Sequence, residues 1–209
     1  MRENELTLPW IKWGGIFGLG SMAVFALMAA GLLPDRADVV LAVAFGPLLS
    51  LASYGLSRLL ALNRETVSLQ IAAVSNVIAG ALVTTMLLVQ LAVRSGGRGS
   101  LDDFLWLKLR RVDLGIDVAW DVYICTGTVL FAINMLRHPR FGRVWGGIGL
   151  GLAAVLAVLN LWTFPTPPAN AGLVDLGPLV GLWYAAVSFQ ALRSLRWAGS
   201  QFRTATAAA

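Results

Sequence analysis

The sequence is poor in charge, in cysteine and in histidine, and each shortage closes off a class of function. Charged residues make up 13% of its 209 residues, against about 25% in an ordinary soluble domain. Hydrophobic residues make up 57%, and the mean hydropathy is +0.74. That balance suits a chain immersed in lipid better than one folded around a water-facing core. A single cysteine, Cys125, excludes an intrachain disulfide and any cysteine-cluster metal site. A single histidine, His138, excludes paired-histidine haem ligation and a histidine-based metal centre. No lysine lies deep in an apolar run, so a retinal Schiff base is not expected. There is no P-loop, no His-Glu-x-x-His and no Gly-x-Ser-x-Gly. Nor is there an evident nucleophile–base pair, so no residue is assigned a catalytic role. The net charge of +5 and isoelectric point near 10.1 would fit a nucleic-acid partner. Most basic residues instead lie beside apolar runs, as they do in cytoplasmic loops of membrane proteins, so the expected partner is the lipid bilayer.

Six apolar runs are present, at residues 9–33, 39–62, 67–93, 114–136, 144–164 and 176–195. Each has or approaches the roughly 20 residues that a spanning helix needs. The runs are continuously apolar and do not alternate, which favours helices over a barrel. The expected fold is all-α, a single transmembrane domain of six spans. A short interfacial helix at about 101–112 is expected before span 4, and a disordered tail at 198–209. Met1–Leu8 is polar, so no cleavable signal is expected.

Orientation follows from the basic residues. With both termini on one side, that side carries Arg2, Lys12, Arg58, Arg64, Arg137, Arg140, Arg143, Arg193, Arg196 and Arg203. The other carries Arg36, Arg94, Arg98, Lys108, Arg110 and Arg111. Both termini are therefore expected in the cytoplasm. The 94–112 connector opens on a flexible Arg94–Gly99 stretch, followed by Ser100 as the start of a capping box. It reads as a connector in the headgroup region held by Trp106, or else as a lid.

The most informative residues are Asp117 and Asp121, with Asp113 four residues upstream. Spacings of four stack these carboxylates on one helix face. A span starting after Asp121 would cover only about 22 Å, short of the roughly 30 Å hydrocarbon core. Asp121 is thus expected inside the hydrocarbon, facing the bundle interior, because facing lipid is too costly. Asp113 reads as a helix-end group complementing the macrodipole, Asp121 as functional, and Asp117 fits either role. Partners expected at this depth are Gln90, Arg94, Asn160, Trp162 and Asp175, with Trp120 beside the pair and Arg110 and Arg111 within reach. The expected ligand-binding set is Asp117, Asp121, Asp175, Asn160, Arg94, Gln90 and Trp120.

Other features carry less. Trp13-Gly14-Gly15 and Trp145-Gly146-Gly147, with Gly46-Pro47-Leu48 and Gly177-Pro178-Leu179, outline a weak repeat of spans 1–2 as spans 5–6. Gly147 and Gly151 have the spacing for close helix packing, within the chain or in a homo-oligomer. Asn76, Asn134, Ser188 and Gln190 suit interhelical hydrogen bonds. Trp10, Trp13, Trp145, Trp162, Trp183 and Trp197 suit an interfacial belt. His138, in Arg137-His138-Pro139-Arg140, reads as a surface residue of a tight turn. The stretches Asp117–Arg143 and Leu161–Pro178 resemble multi-pass bacterial membrane proteins, which implies a bacterial inner membrane and assigns no residue a role.

Three functions fit these observations. One is a membrane protein that binds or transports a small ligand or cation in a polar pocket near the non-cytoplasmic face. Another is an accessory or scaffold subunit of a membrane complex with structural carboxylates. The third is an intramembrane enzyme using the paired aspartates. No cofactor is indicated.

Overall fold

The computed structural model describes residues 3–30, 35–95 and 103–207. Among these the chain is all-helical, with no strand. The helices are α1 (Glu3–Ala30), α2 (Asp35–Ala61), α3 (Val67–Ser95), α4 (Asp103–Met135), α5 (Gly142–Thr163), α6 (Gly177–Arg193) and α7 (Leu195–Ala207), with a short 3₁₀ turn at Pro168–Ala171. Consecutive helices pack as neighbours, and α6 closes the ring by lying against α1.

Five helices, α1 to α5, are long and apolar enough to cross a membrane. The sixth expected span corresponds to α6, whose 17 residues rise about 26 Å. Among the described residues there is no separate interfacial helix before span 4. Residues from Asp103 onward belong to the first turns of α4, which runs 33 residues without a break. No Pro or Gly interrupts 103–114, so the basic residues that suggested a boundary merely decorate a continuing helix. Ser100, the proposed cap, lies outside the described residues, as does most of the Arg94–Gly99 stretch. Most of the segment expected to be disordered forms α7, with Ala198 fully buried.

The distribution of polarity is inverted relative to a soluble bundle. Val40, Val74, Val158 and Leu182 are exposed on the outside, where lipid tails would meet them. Ser53, Asn76, Thr128, Asp121 and Asn160 are buried inside. Lipid gives apolar side chains no reason to turn inward, whereas polar groups must find partners within the bundle. The chain is an integral, multi-pass membrane protein.

Small residues set the helix spacing. A Cβ on Gly14 would lie 2.6 Å from Gly55 Cα, so α1 and α2 touch backbone to backbone. On α5 the packing glycines are Gly146, against the Ala132 carbonyl, and Gly149, beneath the Trp183 indole. Gly147 and Gly151, expected to pack, have nothing within 4 Å. Pro47 lies inside α2 and Pro178 in the first turn of α6, so the two halves of the suggested repeat use their prolines differently.

The two ends of the bundle differ. At one end, His138 sits in the α4–α5 turn and is 1% exposed, contrary to the surface position expected of it. Its Nδ1 accepts the Arg140 N–H at 3.2 Å, so Nε2 carries the proton, lying near the Leu59 carbonyl of α2 without completing a hydrogen bond. Its ring meets Phe141 and the edge of Trp197 on α7, with centroids at 5.3 and 5.1 Å. Gln190 of α6 donates to the Arg140 carbonyl at 2.8 Å. Burial holds the imidazole well below its usual range, at about 4, with Arg140 adding to the effect and the Leu59 carbonyl opposing it. Nearby, Asn134 joins α4 to Thr66 and Ser68 at the start of α3.

Candidate functional site

The opposite end holds the aspartates. All three lie along one face of α4, as their spacing requires, and burial deepens along the row. Asp113 and Asp117 are half-buried, and Asp121 is 7% exposed. Fourteen residues separate Asp121 from Met135 at the His138 end, roughly 21 Å of helix. That depth puts Asp121 inside a hydrocarbon core of about 30 Å.

The carboxylates have different company. Gln90 of α3 donates to both oxygens of Asp113 at 3.3 Å, and the Arg94 guanidinium acts on the same carboxyl. Asp113 is therefore supported from α3, but it is not the helix-end group expected, because α4 begins ten residues earlier, at Asp103. Asp117 feels chiefly Asp113 and Asp175, both of its own sign. Asp121 feels Asp117 and Asp175, again of its own sign, and its polar support is the Asn160 side chain of α5. Asn160 is 2% exposed and also donates to the Leu156 carbonyl at 3.1 Å. An amide can bridge a carboxyl to the backbone but cannot neutralise its charge.

Asp121 lines a cavity of about 40 Å³ with Trp120, Tyr184, Leu156, Phe25 and Phe45. That space holds about three waters, or a small ion, since one water needs about 10–15 Å³ by this measure. A second cavity of about 220 Å³ shares the Phe25, Phe45 and Trp120 walls and reaches Gln90, Arg94 and Asp38. A third, about 400 Å³, brings Asp113, Gln90 and Arg94 together with Trp106 and Arg110.

Beyond the Asp121 cavity a polar network continues through the bundle core. Asn76 Nδ2 donates to Ser53 Oγ and to the Tyr184 hydroxyl, each at 2.8 Å. Thr128 donates its proton to the Ile124 carbonyl at 2.7 Å, so the 2.9 Å contact with Tyr184 has the tyrosine as donor. Four helices thus meet at Tyr184, which also forms part of the Asp121 cavity wall.

Of the expected set, Asp121, Asn160 and Trp120 come together, and Gln90 and Arg94 form a second group around Asp113. Asp175 is exposed and accepts the Gly177 N–H at 2.8 Å, serving its own turn at the start of α6. Trp162 is 84% exposed on the outer surface, so it is not a partner, although it suits the aromatic belt. Trp183 is buried and donates to the Trp145 carbonyl at 3.1 Å, so it leaves that belt. Sequence reasoning missed Tyr184 and Asp38. Tyrosine in an apolar run gives little signal, and Asp38 precedes the run at 39–62, where an acid passes as a loop residue.

No family model matches this chain, and neither a curated protein nor a solved structure is found similar to it.

Proposed function

We propose that this chain binds and moves a small cation, the proton included, with Asp121 as the site and access from the non-cytoplasmic side. The observation that carries this reading is a buried carboxyl in mid-bundle that lines a cavity and is supported by an amide, not by a cation. A bare carboxylate there costs several kcal/mol, on the order of the penalty for any uncompensated buried ion. A proton or a small cation relieves that cost, and the 40 Å³ cavity admits nothing much larger. The outer cavities, containing Asp38, Gln90, Arg94 and Asp113, form the polar approach, and Trp120 stands between them and Asp121.

The arrangement has six spans. α6 closes the ring against α1, and its 17 residues rise about 26 Å, close to the roughly 30 Å hydrocarbon core. The excess of basic residues at the His138 end supports a cytoplasmic position for that end and both termini, a reading that fits a bacterial inner membrane.

The test is ion flux into liposomes carrying the purified full chain, with a pH dye for protons and isotope uptake for sodium and potassium. Asp121→Asn abolishes flux while retaining the wild-type unfolding profile, and Asp121→Glu retains part of it. Wild-type flux through a folded Asp121→Asn variant would overturn the proposal. If neither variant folds, the carboxyl is structural and the accessory-subunit reading takes its place.

A further inference from the structure

The outer cavity of about 220 Å³ contains chemistry that the Asp121 site does not use. Asp38 Oδ1 and Trp120 Nε1 are both buried without a hydrogen-bond partner among the described residues, and both residues line this cavity. One is an acceptor and the other a donor. An unmade bond at a buried polar atom costs about 1–3 kcal/mol, and two such atoms at one empty space call for an occupant. The remaining walls are mostly apolar, with Gln90 and Arg94 as their other polar groups. Phe25 and Phe45 stack with centroids at 5.9 Å, and Met28, Met86 and aliphatic side chains complete the apolar part.

We propose that this cavity binds a small organic ammonium ion, with Asp38 as its counter-ion, Phe25, Phe45 and Trp120 as the π-surface around it, and the Trp120 N–H as donor to a hydroxyl or carbonyl on the same ligand. The proposal extends the cation reading of Asp121 to a second, outer site, and a different carboxylate tests each. Its chemistry follows from the walls. A metal cation entering here would give up water for rings and sulfurs, a poor exchange for a hard ion. An ammonium carrying alkyl groups keeps its apolar surface against the rings and gains cation–π attraction. An anion would face Asp38. Arg94 also lines the cavity, but it is exposed, so water and salt screen its charge more than that of the buried Asp38 oxygen. The volume of 220 Å³ corresponds to roughly 15–20 waters at about 10–15 Å³ each, room for a small organic ligand. Asp38 lies in the first turns of α2, where the macrodipole favours an acid, but that leaves Oδ1 without a partner.

The test is thermal unfolding of the purified full chain in detergent, titrated with choline and with 3,3-dimethylbutanol, which has the same shape without the charge. Choline raises the midpoint saturably, because a ligand that binds only the folded state stabilises it. The neutral alcohol binds at least about tenfold more weakly, the scale of a desolvated cation–π contact plus an ion pair. Asp38→Asn weakens choline by a similar factor, whereas Asp121→Asn leaves its affinity within about twofold. Equal binding of the two probes, no choline binding up to about 50 mM, or wild-type affinity in Asp38→Asn overturns the proposal. If Asp38→Asn does not fold, the ratio of the two probes on the wild-type chain decides alone. Loss of choline binding in Asp121→Asn together with ion flux merges the two sites and overturns their separation, while loss of flux alone leaves both readings standing.

Discussion

Tyr184→Phe offers the sharpest test of the buried polar network. The substitution removes one oxygen and leaves the ring, so packing against Trp183, whose centroid lies 5.0 Å away, is unchanged. Two interhelical bonds are lost, one accepted from Asn76 at 2.8 Å and one donated to Thr128 at 2.9 Å. Single interhelical bonds in membranes average about 0.6 kcal/mol and reach about 1.7. Two of them give roughly 1–2 kcal/mol, the upper half of that range applying because Asn76 is fully buried and its freed N–H finds no water. Asn76→Ala also loses two bonds, to Tyr184 and Ser53. The double variant should therefore lose less than the sum of the singles, by about 0.6–1.7 kcal/mol, the value of the shared bond. Reversible unfolding in mixed micelles measures all four corners of this cycle. Strict additivity, or a loss below about 0.3 kcal/mol for Tyr184→Phe, would refute the reasoning.

Two further predictions concern the helix packing and the His138 end. Gly149→Ala places a methyl 2.5 Å from the Trp183 ring and should cost about 1–3 kcal/mol, whereas Gly147→Ala meets nothing within 4 Å and should fall within about 0.5 kcal/mol of wild type; unfolding midpoints of the pair decide. His138, at about 4 in the folded chain against an ordinary 6.5, is held neutral, so the unfolded chain takes up the proton first. Its contribution is complete above pH 6.5 and is lost as pH falls through about 4. That contribution is roughly 2–4 kcal/mol, and His138→Phe should flatten the dependence of stability on pH in this window.

Much of this architecture was legible because spans announce themselves by apolar length alone, and five helices fall where the runs do. The junction before span 4 was not. Lys108, Arg110 and Arg111 look like a boundary to a reader of charge, yet backbone propensity carries the helix straight through them. Asp121 could be placed because the length of its run forced it into the core, and Asn160 followed from matching depth. Asp175 matched in depth as well, but a residue just before a helix has a nearer partner in that helix's own N–H. His138 was misread because composition cannot show that α2, α6 and α7 converge on one turn. Asp38 was overlooked because a single acid at a helix start has an ordinary explanation, and only its unpartnered oxygen distinguishes it.

The length of α4 has a mechanical consequence. Its 33 residues extend about 50 Å, some 20 Å more than a hydrocarbon core of about 30 Å. The surplus lies at the Asp113 end, since the other end is tied at His138 to three neighbouring elements. α4 is thus a lever pinned at its base. A push on its outer end, which is held to α3 through Gln90 and Asp113, would turn the helix about that pin and move each side chain in proportion to its distance from it, so that Asp113 moves further than Trp120 and Asp121.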